Sequence, residues 1–403
     1  MPFAPVLVGE TTVPDNLYII FALFVTNAAF SYALNYRRPL LIADQKGFIT
    51  NLIVTACSII LYGLKIFILL ATQNFYLYTL VTVLAKILED AIVNIVVQRR
   101  YPYITEKYKL DKHIKTDVKK KMHGSIYHNT ATYIVFSTDN IIISQIFGVI
   151  NVGLYANYHM VLNSINLILN QIFSAMTASL GNILVNEGPQ KLHIMARRII
   201  LLNFFIYAPV SIATYFCITP FVKLWLGPDF LFIDAVTIAL ILSFYLQAAR
   251  APISNVLASA GIIYETRFVP IFEASINLVA SIALALLIGL PGVFIGTAIS
   301  HLFLHLYSYP KYAASVLKHS RAEYTLLFLK YFGLFIATWV AMGGVISFVN
   351  IDNNILNFTV KGLLSVSLPI LLFWIIFRKT EEFQYFASIG KRVLRKKLLR
   401  RKY

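Results

Sequence analysis

The amino-acid sequence predicts an all-α, polytopic membrane protein of about eleven transmembrane helices. Composition is the first ground: 58% of the 403 residues are hydrophobic and 13% are charged, where a soluble domain carries roughly 25% charged residues. Length is the second, because crossing a hydrocarbon core of ~30 Å takes about 20 apolar residues in a helix, and eleven stretches approach that length. The third is the placement of Lys and Arg, which changes side from one apolar stretch to the next.

The stretches cover 17–34, 49–71, 75–97, 125–146, 155–185, 199–222, 231–246, 268–288, 293–306, 326–348 and 356–377. Basic residues follow the odd-numbered ones. Arg37, Arg38 and Lys46 come after the first, Lys191, Arg197 and Arg198 after the fifth, Arg250 and Arg267 after the seventh, and Lys311, Lys318 and Arg321 after the ninth. The third is followed by RRYPYITEKYKLDKHIKTDVKKK, residues 99–121, with nine Lys/Arg against Glu106, Asp111 and Asp117. Ten more basic residues lie between Arg378 and Lys402. On the other side, the first sixteen residues, ATQN, FGVINVGL, the IGLPG turn and VNIDNN carry none, and Lys223 stands alone after the sixth stretch. Basic loops stay in the cytoplasm, so the carboxyl terminus is expected inside and the amino terminus outside. The ninth stretch is short, yet fusing it to the eighth across IGLPG breaks the alternation.

The net charge of +17 does not point to nucleic acid, since no binding module accompanies it. The basic residues border apolar segments, where membrane orientation and anionic lipid head groups account for them. Cys57 and Cys217 fall inside apolar runs without a CxxC or Cys/His pattern, and say nothing of disulfides or metal. No segment outside the spans is long enough for a soluble domain, and no P-loop, HExxH or GxSxG occurs in a usable context. The chain is therefore read as a non-enzyme whose function resides in its spans, with no cofactor and no metal site.

Four segments carry a resemblance: LLIADQKGFITN (40–51), FSTDNIIISQIFGVINVGLYANY (136–158), QIFSAMTASLGNILVNEG (171–188) and GVFIGTAIS (292–300). In combination they resemble the polysaccharide-export, Wzx-type flippases of the multidrug/oligosaccharidyl-lipid/polysaccharide (MOP) exporter superfamily. The resemblance implies a two-lobed, MATE-like transporter fold and an inner-membrane location. It also implies export of a polyprenyl-diphosphate-linked oligosaccharide for lipopolysaccharide, exopolysaccharide or capsule, alongside other polysaccharide-assembly proteins. Family members usually have twelve or fourteen helices, so this chain is expected to begin inside the third. Residues 1–98 then form a three-span remnant of the first lobe and 99–123 the cytoplasmic connection. Residues 124–320 form a six-span second lobe, 321–378 two extra spans, and 379–403 a basic tail. A drug/cation antiporter of the same superfamily and a membrane polysaccharide transferase or polymerase are the alternatives.

Ionisable residues within spans are costly and are candidates by default. Asp139 sits among Ser137, Thr138 and Asn140; it suits either a structural polar cluster or a coupling site for Na+ or H+. Relatives place such a sodium site beside polar residues of two later helices, which here implies Asn277 and Thr297, with a carbonyl from Val293 and with Ser281 where some carry a second acid. Arg250, followed by Pro252 in QAARAPISN, can grip a diphosphate bidentately, or snorkel to the interface. Lys86, Glu89 and Asp90 share one helix face at i, i+3 and i+4, as an internal ion pair or a substrate site. Lys65 and Lys361 can attract an anion or snorkel. Asn163, Asn166 and Asn170, with Asn157 and Gln171, suit a sugar-lined cavity or interhelical hydrogen bonds. His128, Glu273, His301 and His305 form no metal constellation by spacing, for want of a third ligand.

Overall fold

A computed structural model describes residues 17–44, 46–105, 111–262, 264–349, 351 and 354–400, and every regular element among them is helical. The first sixteen residues and Glu106, Lys107 and Lys109 of the basic connection lie outside the described residues, as do the side chains of Asp117, Lys120, Lys121 and His128. The chain divides into two compact units, Met1–Lys115 and Thr116–Tyr403.

In the first unit, α1 (Leu17–Leu34), a 3-10 turn and the short α2 (Arg38–Ala43) lead to α3 (Gly47–Thr72) and α4 (Phe75–Arg100). The side chain of Asn74 starts α4 by accepting from the backbone N–H groups of Tyr76 and Leu77 at 2.9 and 3.2 Å, satisfying donors that a helix start leaves free. α4 is the middle helix, packed on both α1 and α3, and Asn94 Nδ2 donates to the Leu34 carbonyl at 2.7 Å. Its polarity runs inside out: Thr79, Glu89 and Asp90 are buried while Leu84 and Leu88 face outward. α3 likewise exposes Leu52, Ile59, Ile60, Phe67 and Leu70. Such outward apolar faces suit lipid as solvent. Below the helices, Lys46 and Tyr101 donate to Asp44 and hold its carboxyl below the usual carboxylate range.

The second unit contains all but the first four residues of α5 (Lys112–Phe147), then α6 (Val149–Ser174), α7 (Thr177–Glu187), α8 (Pro189–Trp225), α9 (Asp234–Ala249), α10 (Ala251–Ser259), α11 (Val269–Ile288) and α12 (Leu290–Phe303). A π-helical turn, Leu304–Ser308, joins α12 to α13 (Tyr309–Leu317), and α14 (Arg321–Ser347), α15 (Asn354–Phe377) and α16 (Glu381–Arg400) complete it. One apolar core gathers Tyr155, Tyr158, Phe173, Tyr207, Phe244 and Phe294. A second, built on Phe204, Tyr245, Tyr331, Phe335, Phe373 and Phe377, fastens α14 and α15 to α8 and α9; Tyr245 and Phe335 stack with centroids 3.8 Å apart.

All eleven apolar stretches are helical, and among the described residues nine segments are both long and apolar enough to span a bilayer. The other two, α4 and α5, are long enough but carry Lys86, Glu89 and Asp90 or the polar run Ser137 to Asn140 within the apolar stretch. Three boundaries differ from expectation. The fifth stretch breaks at Ala175 and Met176, where Asn255 Nδ2 donates to the Phe173 carbonyl at 2.8 Å. The seventh continues past Arg250 into α10. The ninth is not short: it runs through Leu290–Leu317, because Pro310, which has no N–H for the Leu306 carbonyl, is accommodated by the π turn instead of ending the helix.

The tightest packing joins α11 to α12. Gly289, at φ 76°, makes the turn between them, a left-handed conformation that glycine adopts without steric cost. A methyl group on Gly292 would lie 2.1 Å from the Leu284 carbonyl oxygen, and one on Gly296 would lie 2.4 Å from the Ser281 nitrogen. Small residues four apart let membrane helices approach closely. Gly292→Ala should lower the melting temperature of the detergent-solubilised protein, at a cost of about 1–3 kcal/mol for overpacking. Gly343→Ala, which meets open space, should leave it within about a degree or two by the same measurement.

Candidate functional site

The site is built on a broken helix. Pro252 has no N–H, so the Ala248 carbonyl four residues earlier loses its helical donor. α9 ends there and α10 begins after Arg250. Carbonyls freed by such a break need other donors in a membrane. Asn203 Nδ2 donates to the Ala248 oxygen at 3.2 Å and His305 Nε2 to that of Leu246 at 2.9 Å. The break turns Arg250 into a cavity of about 510 Å³, bordered also by Asn166, Asn170, Gln247, Ser254, Asn255, Glu273 and Tyr309.

Arg250 turns inward, onto the cavity wall. Its guanidinium donates to Glu273 Oε1 at 3.1 Å, and the same oxygen lies 2.9 Å from His301 Nδ1. Glu273 is buried; a buried carboxylate persists only with partners of this kind. The sequence pattern had left Glu273 and His301 without a role, although a lone carboxylate in an apolar span is itself a signal of an unseen partner. Gln247, Ser254 and Tyr309 gave no comparable signal, being ordinary polar residues near helix ends.

A second cavity, about 230 Å³, is bordered by Asp139, His159, Asn163, Thr297 and His301, and shares Asn166 and Gln247 with the first. The spacing of Asn163, Asn166 and Asn170 on α6 places these amides along the two cavities, and Asn166 Oδ1 also accepts from the Tyr207 hydroxyl at 2.9 Å.

Asp139, Asn277 and Thr297 meet, although 158 residues separate the first from the last. The Thr297 hydroxyl lies 3.1 and 3.0 Å from the two Asp139 oxygens and 3.2 Å from the Val293 carbonyl. Asn277 Nδ2 donates to that hydroxyl at 2.9 Å, and Ser281 donates to Val293 at 2.9 Å. Ser281 and the Asn277 amide supply further protons to the cluster, and Asn277 Oδ1 is buried without a hydrogen-bond partner. A carboxylate, a hydroxyl and a main-chain carbonyl together are oxygen donors of the kind that a hard cation takes.

The remaining candidates lie elsewhere. Lys86, in the first unit, pairs with Glu89 at 2.6 Å and Asp90 at 3.2 Å. Lys65, also there, sits 4.6 Å from the Tyr78 ring centroid, a cation–π contact. Lys361, on α15, is half-buried and borders neither cavity.

No family model matches the chain, and no curated protein matches it. Among solved structures it is similar to the lipid II flippase MurJ in its inward closed conformation, with a TM-score of 0.61 and 15% identity over 90% of this chain and 74% of that one. The chain thus shares the fold of that structure.

Removing one member of a buried ion pair strands the other. Arg250→Met should therefore destabilise the protein by roughly 3 kcal/mol, the low end of such losses because water can enter the cavity. Adding Glu273→Gln to Arg250→Met should recover most of that loss in thermal unfolding, and an additive double variant would contradict the pairing.

Proposed function

We propose that the chain flips a polyprenyl-diphosphate-linked oligosaccharide from the inner to the outer leaflet of the cytoplasmic membrane, for cell-surface polysaccharide synthesis. One observation carries the reading: a guanidinium, Arg250, borders a cavity whose other polar side chains are amides, hydroxyls and one carboxylate, set among apolar residues. Guanidinium matches a diphosphate bidentately, and amides hydrogen-bond sugar hydroxyls. Asn163, Asn166 and Asn170 are assigned to the sugar and Arg250 to the diphosphate, while the lipid tail stays in the bilayer. The MurJ-like fold supports a lipid-linked substrate, since that protein is a lipid II flippase. Asp139, Asn277 and Thr297, with the Val293 carbonyl, are assigned to Na+ as the coupling ion; the meeting of these oxygens supports it. Lys65, Lys86 and Lys361 are left out of the site.

In this reading 1–98 belongs to the first lobe, 99–123 is a cytoplasmic connection, 124–320 the second lobe, 321–378 two further spans and 379–403 a cytoplasmic basic tail. The amino terminus of the chain lies outside. A cation antiporter of the same fold is less favoured, because a guanidinium at the cavity wall repels a cationic drug.

The test is movement of fluorescent lipid-linked oligosaccharide in proteoliposomes. Wild type should flip it, and Arg250→Lys, which keeps the charge beside Glu273, should reconstitute normally yet flip roughly tenfold more slowly, as losing one charge-assisted hydrogen bond of about 1.5–3 kcal/mol implies. Equal rates would remove Arg250 from the diphosphate site. Asp139→Asn should abolish any dependence of the rate on Na+, and an unchanged dependence would remove Asp139 from coupling.

A further inference from the structure

A cluster apart from both cavities brings together His193, near the start of α8, His319, in the turn after α13, and Glu323, in the first turn of α14. We infer that these three side chains form a binding site for a divalent transition-metal ion of the Zn2+ class.

The donor spacing is the first argument. His193 Nε2 lies 3.4 Å from Glu323 Oε1, and His319 Nδ1 lies 3.4 Å from Glu323 Oε2. The three donor atoms all fall within 4.8 Å of one another. A tetrahedral Zn2+ with bonds of about 2.0–2.2 Å separates its ligand atoms by roughly 3.3–3.5 Å. Two imidazoles and one carboxylate also have the donor softness that this class of ion prefers to Mg2+ or Ca2+.

Support around the donors is the second. His193 is buried, and its Nδ1 is 2.6 Å from the Tyr324 hydroxyl. A proton on Nδ1 donated to that oxygen leaves Nε2 with its lone pair toward Glu323, the ring orientation that outer partners of metal-bound histidines enforce.

Charge is the third. Arg197 contacts Glu323 Oε1 and Glu382 Oε1, both at 3.0 Å. With neutral imidazoles, two carboxylates share one guanidinium, leaving one negative charge for a cation to meet. When Glu323 turns to the metal, Arg197 keeps Glu382. The two imidazoles are stacked, with centroids 3.5 Å apart and planes 8° from parallel, so their lone pairs do not converge in this arrangement. Loading therefore tilts His319, the more exposed ring, out of the stack, and ties α8 to the α13–α14 turn.

The experiment uses full-length, tag-free protein in detergent, stripped with a chelator and titrated with Zn2+ against a competing dye, with Co2+ absorption as a second probe. The expected result is one ion per chain, an intense visible Co2+ band of tetrahedral type, and a melting temperature raised by Zn2+. His319→Ala, in an accessible turn, and Glu323→Gln should each weaken binding at least tenfold and abolish the band. Absence of stoichiometric binding would overturn the inference. So would equal binding by wild type and both variants, which would place the ion among the other six of the eight histidines.

Discussion

Much of the second unit's polar architecture depends on the missing hydrogen-bond donor of Pro252. It stops one helix and starts the next, and leaves carbonyls at Leu246 and Ala248 that lipid cannot solvate. Two other helices answer with His305 and Asn203. The interruption puts Arg250 on the cavity wall, and Glu273 and His301 follow as the partners that make a buried guanidinium tolerable. A straight helix through residue 250 would remove the reason for His305, Asn203 and Glu273 to be polar at all.

A second constraint acts through small residues. With no side chain on Gly292 and Gly296, the backbones of α11 and α12 come close enough for Ser281 to reach the Val293 carbonyl at 2.9 Å and for Asn277 to reach Thr297 at 2.9 Å. That approach gathers the oxygens beneath Asp139. Close packing and the candidate cation site are thus one feature, because a methyl group at either glycine would push apart the helices that carry the donors.

The spans were legible because lipid demands long apolar helices, and both features show in one dimension. Their ends were less so. The break at Ala175 and Met176 rests on Asn255, some 80 residues away, and the π turn before Pro310 has no hydropathy signal. Outside the site, Lys86 with Glu89 and Asp90 was readable from helical spacing, and within it the amides 163, 166 and 170 from their clustering on one span. Glu273 was visible as a costly carboxylate but not as the partner of Arg250, since pairing across helices leaves no mark in spacing. His193 and His319 lie even further from legibility: the packing of α13 and α14 against α8 brings them into contact.

The central claim is that the cavity beside Arg250 receives a sugar-linked diphosphate. The most direct measurement is maleimide labelling of Ser254→Cys, a residue bordering that cavity, after both native cysteines, Cys57 and Cys217, have been replaced by alanine. Labelling should slow when lipid-linked oligosaccharide diphosphate is added, and much less with the same lipid lacking its phosphates. Equal labelling in all three conditions would contradict the account.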